Sequence, residues 1–236
     1  MKKLLLTAVL STSMIVAQSY PFVGGESLSY EVSLNILSAG NAILKINDLP
    51  EPSGTPLYLI TFHMRTNSLW DQIFPIRDTV ESWVDKKALI TRKLKKAIHE
   101  RTYSQDLTAE FDYDSGTVTT NRTSLSIENE VRDPYSFFYY LRTLPLKVGD
   151  LFDFTIFDNH RFTNLKMIVH RKESVRVTAG QFDCFVVEPF REGRTLFKNR
   201  GDMKVWISDD RRRLPVMIVS KARFGSLVMK LTDHSR

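Results

Sequence analysis

A single cysteine, Cys184, rules out an internal disulfide, so the fold has to be held by buried surface alone. Cys184 sits in GQFDCFVVEP, where Phe182, Cys184 and Val186 alternate with Asp183, Phe185 and Val187. That pattern reads as a small buried strand residue rather than a catalytic thiol. No cysteine stands immediately after the N-terminal apolar run, since Cys184 lies far downstream, so a lipid anchor there is not expected. The chain also lacks the local signatures of common chemistry. It has no G-x-S-x-G elbow, no S-x-x-K pair, no phosphate-binding or dinucleotide glycine loop and no H-E-x-x-H. His63, His99, His160, His170 and His234 share no close metal spacing, and no metal or other cofactor is expected. No repeat period marks a propeller or a solenoid. The formal net charge is only +6, and the bases are not interleaved with aromatics as on a nucleic-acid platform.

What is present begins with MKKLLLTAVLSTSMIVAQS. Lys2 and Lys3 precede an apolar run from Leu4 to Ala17, followed by small residues where a signal peptidase reads. The run is shorter than the ~20 residues that span a bilayer. Residues 1–19 are therefore expected to be a cleaved signal peptide, and residues 20–236 a periplasmic protein with no transmembrane segment.

From Ser27 the apolar residues recur with period two: Leu28, Tyr30, Val32, Leu34 and Ile36 on one side, Ser29, Glu31, Ser33 and Asn35 on the other. A break at Ser38–Asn41 predicts a turn or bulge at Gly40. Further strands are predicted at 57–64, 79–84, 90–98, 107–113, 117–127, 151–157, 165–169, 174–177, 184–188, 203–208, 216–222 and 226–231. RDPYSFFYYLRTLP interrupts them. Asp133 suits an N-cap, Pro134 the first helical position, and Arg142 the C-terminal end of the dipole. Tyr135, Phe137, Phe138, Tyr139 and Tyr140 surround this helix, so it should be buried. Arg142 then needs a carboxylate or backbone carbonyls, with Asp133, Asp78, Glu81 and Asp85 as candidates. A second short helix or loop carries Trp70 and Phe74.

The cluster VWISDDRRRLPV sets two acids against three arginines. Adjacent carboxylates in one segment do not face each other across a cleft as an acid and base would. Asp209 and Asp210 are instead expected to form a turn between strands ending at Trp206–Ser208 and restarting at Pro215.

These segments resemble the domain-of-unknown-function 3108 family of exported bacterial proteins. The resemblance rests on Gly25, Glu26, Leu28, Tyr30, Ala39 and Gly40 near the start and on Asp78, Trp83 and Asp85 in DTVESWVD. It continues through Asp133, Ser136, Tyr140, Leu141 and Arg142, then Gly180, Phe182, Cys184 and Pro189, and finally Trp206, Ser208, Asp209, Asp210, Pro215 and Val216. It implies size and export similar to periplasmic β proteins and brings no established activity.

The expected fold is one all-β domain, a large curved antiparallel sheet or open, half-barrel-like barrel, with the 133–143 helix on its concave side. The other arrangement the pattern allows is a β-sandwich, with a subdomain division near Pro145. The expected function is non-enzymatic binding of an apolar ligand or an envelope partner chain by a monomer, with Trp70, Phe74, Phe137, Tyr140 and Arg142 at the ligand. Such a plugged curved sheet is similar to periplasmic lipoprotein carriers. Asp133, Ser136, Trp206, Asp209 and Asp210 are expected to be structural. Two rivals remain open. An envelope hydrolase or glycan-modifying enzyme would need Asp133, Arg142, Asp209 or a histidine to converge in a cleft. An assembly factor would offer an edge strand to its partner.

Overall fold

The computed structural model describes residues 20–50, 54–101, 103–191, 203–222 and 225–235, so the expected signal peptide lies outside the described residues. In chain order the elements are β1 (Ser27–Leu34), β2 (Leu37–Asp48), β3 (Leu57–Thr66), α1 (Ser68–Asp71), β4 (Ile76–Asp85), β5 (Thr91–Glu100) and β6 (Tyr103–Asp112). They continue with β7 (Thr117–Thr120), β8 (Ser124–Ser126), β9 (Val131–Arg132), α2 (Pro134–Thr143), β10 (Leu151–Asp158), β11 (Arg161–Val177), β12 (Gly180–Arg191), β13 (Met203–Ser208), β14 (Pro215–Ala222) and β15 (Gly225–Ser235).

All fifteen strands form one sheet in the order β8-β7-β6-β5-β4-β3-β2-β1-β15-β14-β13-β12-β11-β10-β9. The chain thus meanders outward from β1 to β8, crosses to the opposite edge, and meanders back to pair β15 with β1. This is the predicted large open antiparallel sheet, with one departure. β9 and β10 pair in parallel over Thr155↔Val131 and Ile156↔Arg132. A parallel pair needs a crossover, and α2 is that crossover. The helix lies where it does because β9 and β10 run the same way.

The two sheet edges approach each other without a backbone ladder between them. Phe157 of β10 packs edge-on against Phe111 of β6 at 5.2 Å. The Tyr113 hydroxyl donates to Val131 O at 3.1 Å, and Lys96 Nζ reaches Asp158 Oδ1 at 2.6 Å. His160 Nδ1 lies 3.1 Å from Thr120 Oγ1. One apolar cluster joins Leu94, Leu107, Phe111 and Val118 on one side of this seam to Val131 and Phe157 on the other. The curved sheet is therefore closed on that side by side chains alone.

Several local expectations change. The first hairpin turns at Asn35 (φ 54°), and Gly40 lies within β2 beside a register shift against β1. A Cβ at Gly40 would lie 2.1 Å from Arg65 O, so only glycine lets β3 approach there. The predicted 117–127 strand is two, β7 and β8, split by a turn in which Thr120 N donates to Thr123 O. The predicted strands 165–169 and 174–177 are one, β11, which runs through the charged residues His170–Glu173 with a bulge between Val169 and Arg171. Exposure on β11 lets those charges sit in a strand. The alternation expected around Cys184 fails too. Residues 184–188 are all buried, so this part of β12 is covered on both faces.

Candidate functional site

α2 is held in the concavity at both ends. At its start, Asp133 is wholly buried and its carboxylate accepts from Tyr135 N at 2.8 Å and Ser136 N at 3.1 Å. Its other oxygen accepts from Ser82 Oγ of β4 at 2.5 Å and Thr91 Oγ1 of β5 at 2.7 Å. Asp133 N in turn donates to Ser136 Oγ, which completes a capping box. The predicted N-cap thus also ties the helix to the sheet.

At its end, Arg142 is 2% exposed and forms a two-pronged ion pair with Glu26, Nη1–Oε1 at 2.5 Å and Nη2–Oε2 at 2.8 Å. Nη2 also donates to Arg212 O at 2.9 Å and Pro21 O at 3.4 Å. The guanidinium lies over the rings of Phe22 and Tyr139. The expected ion pair exists, but its partner is none of the acids proposed for it. Asp133 is nine residues away along the helix, about 14 Å at 1.5 Å per residue, and is spent on the cap. Glu26, immediately before β1, shares the parity of the inward-facing Leu28, Tyr30 and Val32, a signal in the sequence that could have found it.

Between these ends the helix bridges the core. Phe137 and Leu141 join Phe154, Ile156, Met167, Phe185 and Val205. Tyr139 joins Phe22, Leu28, Tyr30 and Ile60 on another side. Tyr135 packs on Phe62 at 5.1 Å, and Tyr140 on Phe154 at 6.0 Å with the Arg132 guanidinium 3.6 Å from its ring. Each fully buried aliphatic or aromatic side chain here is worth about 1.5–3 kcal/mol. Burial pushes the Tyr139 hydroxyl far above the usual phenol range. Among the described residues that hydroxyl and Arg142 Nε have no hydrogen-bond partner.

The predicted ligand residues do not all meet. Phe137, Tyr140 and Arg142 belong to α2. Trp70 belongs to α1, where its indole donates to Ser38 O at 3.1 Å, and neither Trp70 nor Phe74 enters the clusters that α2 helps form. Asp209 and Asp210 form the expected turn. Asp210 accepts from Ser208 Oγ, Arg212 N and Arg213 N at 2.8–3.1 Å, and Arg213 takes the left-handed φ of 49°. Asp209 pairs with Lys172 of β11 at 2.5 Å, and Trp206 donates its indole N–H to Glu173. Because Arg212 O accepts from Arg142, this turn also forms one wall of the helix lock. Asp133 is bonded at the start of α2 and Arg142 at its end, and Arg142 meets the turn at the Arg212 carbonyl while Asp209 pairs with Lys172 and Arg213. The Cys184 thiol is buried, and burial pushes its pKa up to about 12, away from the thiolate form. Among the described residues no group of His, Cys, Asp or Glu side chains has metal-ligand geometry, and no helix is long and apolar enough to cross a membrane.

The carboxylate that does stand out is Asp78 of β4, which the sequence offered as a possible partner for Arg142 and as part of the family resemblance. Burial pushes its pKa up to about 6, against a 3.3 Å bond from His99 N that pulls it down. Between about pH 4, the ordinary carboxylate range, and pH 6 the folded protein holds this proton more tightly than the unfolded chain. The contribution to stability is full below that window and is lost as pH rises through it. Asp78→Asn should therefore raise the melting temperature at pH 7 and match the wild type near pH 4. Thermal melts across that range check it, and an Asn variant less stable at pH 7 would contradict it.

No curated protein matches the sequence. Among solved structures, a β-barrel-like protein of the domain of unknown function DUF1849 from Brucella abortus superposes with a TM-score of 0.59 at 12% identity, covering 89% of this chain and 96% of that one. A DUF1089 family protein from Pseudomonas aeruginosa aligns at 14% identity over 91% of this chain and 95% of its own, with a TM-score of 0.35. The first supports the barrel-like reading of the sheet. The family model described as protein of unknown function (DUF3108) matches residues 29–232, nearly the whole chain, and the chain belongs to that family.

Proposed function

We propose that this protein is exported to the periplasm and acts there by binding, taking an apolar ligand or an extended partner chain into the concavity that α2 now fills. The observation that carries this reading is the seam between β7–β8 and β9–β10. Every other strand boundary is held by ladder hydrogen bonds, which are costly to break without a partner. The seam is held by side chains: the apolar cluster around Phe111 and Phe157, the Lys96–Asp158 pair, hydrogen bonds from Tyr113 and between His160 and Thr120, and the bonds that Arg132 and Asp133 make to Ala88, Ser82 and Thr91. Parting it opens the apolar interior beside α2 and leaves the sheet intact. Export rests on the leader-like residues 1–19.

A second reading has its own support. In the β10–β11 hairpin register, Leu151 and Asp153 point their backbone groups away from β11, and β9 covers only Thr155 and Ile156. Leu151 is 51% exposed and Val148 55%. That open edge suits a partner that adds a strand. Affinity capture of the protein from its native envelope, read by native mass spectrometry, separates the two. A retained lipid supports the concavity, and a retained polypeptide cross-linking to Leu151 or Asp153 supports the edge. Protein that comes away with neither contradicts both.

A further inference from the structure

On the sheet face opposite α2, the outward side chains of β1 to β4 line an open groove of about 610 Å³, with Ser29, Asn41, His63, Arg65, Arg77 and Thr79 in its wall. The register places Arg65 of β3 directly opposite Arg77 of β4, and Arg77 directly opposite His99 of β5. Like charges in facing positions destabilise a sheet. Arg77 is compensated by Asp71, which meets it with both oxygens at 2.7 and 2.5 Å. Arg65 lies within the field of the same Asp71 carboxylate, but no carboxylate meets its exposed guanidinium in a hydrogen-bonded ion pair among the described residues. Around it stand Asn41 across on β2, Ser29, and Thr79 with its hydroxyl 3.3 Å from His63 Nδ1, while the nearest acid along the register, Glu31 of β1, lies one strand further off, opposite Asn41. The one other carboxylate in the wall, Asp78, belongs to the buried face.

We infer that this groove binds an anion of the phosphate class carried on a hydroxyl-bearing body, with Arg65 as the principal charge contact and Asn41, Ser29 and Thr79 reading the polar body. A guanidinium held on a strand offers a fixed fork to a phosphate, and the volume suits a small ligand. The site is independent of the concavity proposed above and lies on the other face. The same chemistry is presented by a free sugar phosphate and by an anionic lipid headgroup.

The test uses the full exported chain with inorganic phosphate, glucose 6-phosphate, and vesicles of phosphatidylglycerol or phosphatidylcholine. Saturable binding of glucose 6-phosphate without vesicle binding identifies a free ligand. Binding to phosphatidylglycerol but not phosphatidylcholine vesicles identifies a headgroup. In either case Arg65→Gln should weaken binding about tenfold or more, the loss of one charge-assisted contact, while Arg122→Gln, an exposed arginine on the β7–β8 turn, leaves it unchanged. Arg65→Gln should also melt no lower than the wild type without ligand, since it relieves the Arg65–Arg77 opposition, and it should lose the upward shift that phosphate gives the wild type. No saturable binding to any probe, or equal binding by Arg65→Gln, overturns the inference.

Discussion

Arg142→Ala is expected to lower stability by about 3–5 kcal/mol, because it leaves the Glu26 carboxylate, 2% exposed, without its counter-charge. For a chain of this size the melting temperature should fall by roughly 10 °C. The ion pair is not the source of this effect in isolation, since bringing both charges out of water offsets much of their attraction. What costs most is the orphaned partner. Glu26→Ala should be milder, because Arg142 keeps its bonds to Pro21 O and Arg212 O. The double variant Glu26→Gln with Arg142→Met should recover much of the loss, since neither charge then remains buried. Thermal melts of the four proteins measure this, and an Arg142→Ala melt within a degree of the wild type would remove the lock from the account.

Asp133→Ala should be the second most damaging change, at about 2–4 kcal/mol. It removes the cap, worth ~1 kcal/mol, and leaves the Ser82 and Thr91 hydroxyls buried without their acceptor. Asp133→Asn keeps one acceptor oxygen and should lose less than half as much. Hydrogen exchange at Tyr135 and Ser136 gives a local reading, because both amides donate to Asp133. Faster exchange there in Asp133→Ala, ahead of global unfolding, is expected. Unchanged exchange would mean that the cap is dispensable.

The two locks also show what the sequence could and could not disclose. The cap was legible because a helix start is written locally: Asp133, Pro134 and Ser136 stand at fixed offsets. The ion pair was legible only from one side. A charge on an all-apolar helix must be compensated, but which acid comes to it depends on a β1 entry 116 residues earlier. The turn at Asp209–Asp210 was read correctly as a turn, while its contact with Arg142 was invisible because it is made by a backbone carbonyl, which has no sequence signature. The strands were legible wherever burial falls on one face, as in β1 and β4. β13 was read at its observed bounds, 203–208, and β12 only in its apolar middle, 184–188, while β11 was read as two strands because its charges at 170–173 face water as its backbone pairs with β12. The β9–β10 pair is two residues long and parallel, too short for any periodicity to announce it. The outer groove was missed because its arginines lie on different strands and meet only through register.

The measurement that bears most directly on the proposed function is a staple across the seam. Thr120→Cys with His160→Cys replaces a side-chain contact of 3.1 Å by a disulfide formed under oxidising conditions, with Cys184 buried away from it. Native mass spectra of the unstapled and stapled proteins, each captured from its own envelope, are then compared. The account predicts a bound lipid or peptide on the unstapled protein that is absent from the stapled one and returns after reduction in the presence of envelope extract. The same bound species on both proteins, or none on either, would contradict entry through the seam.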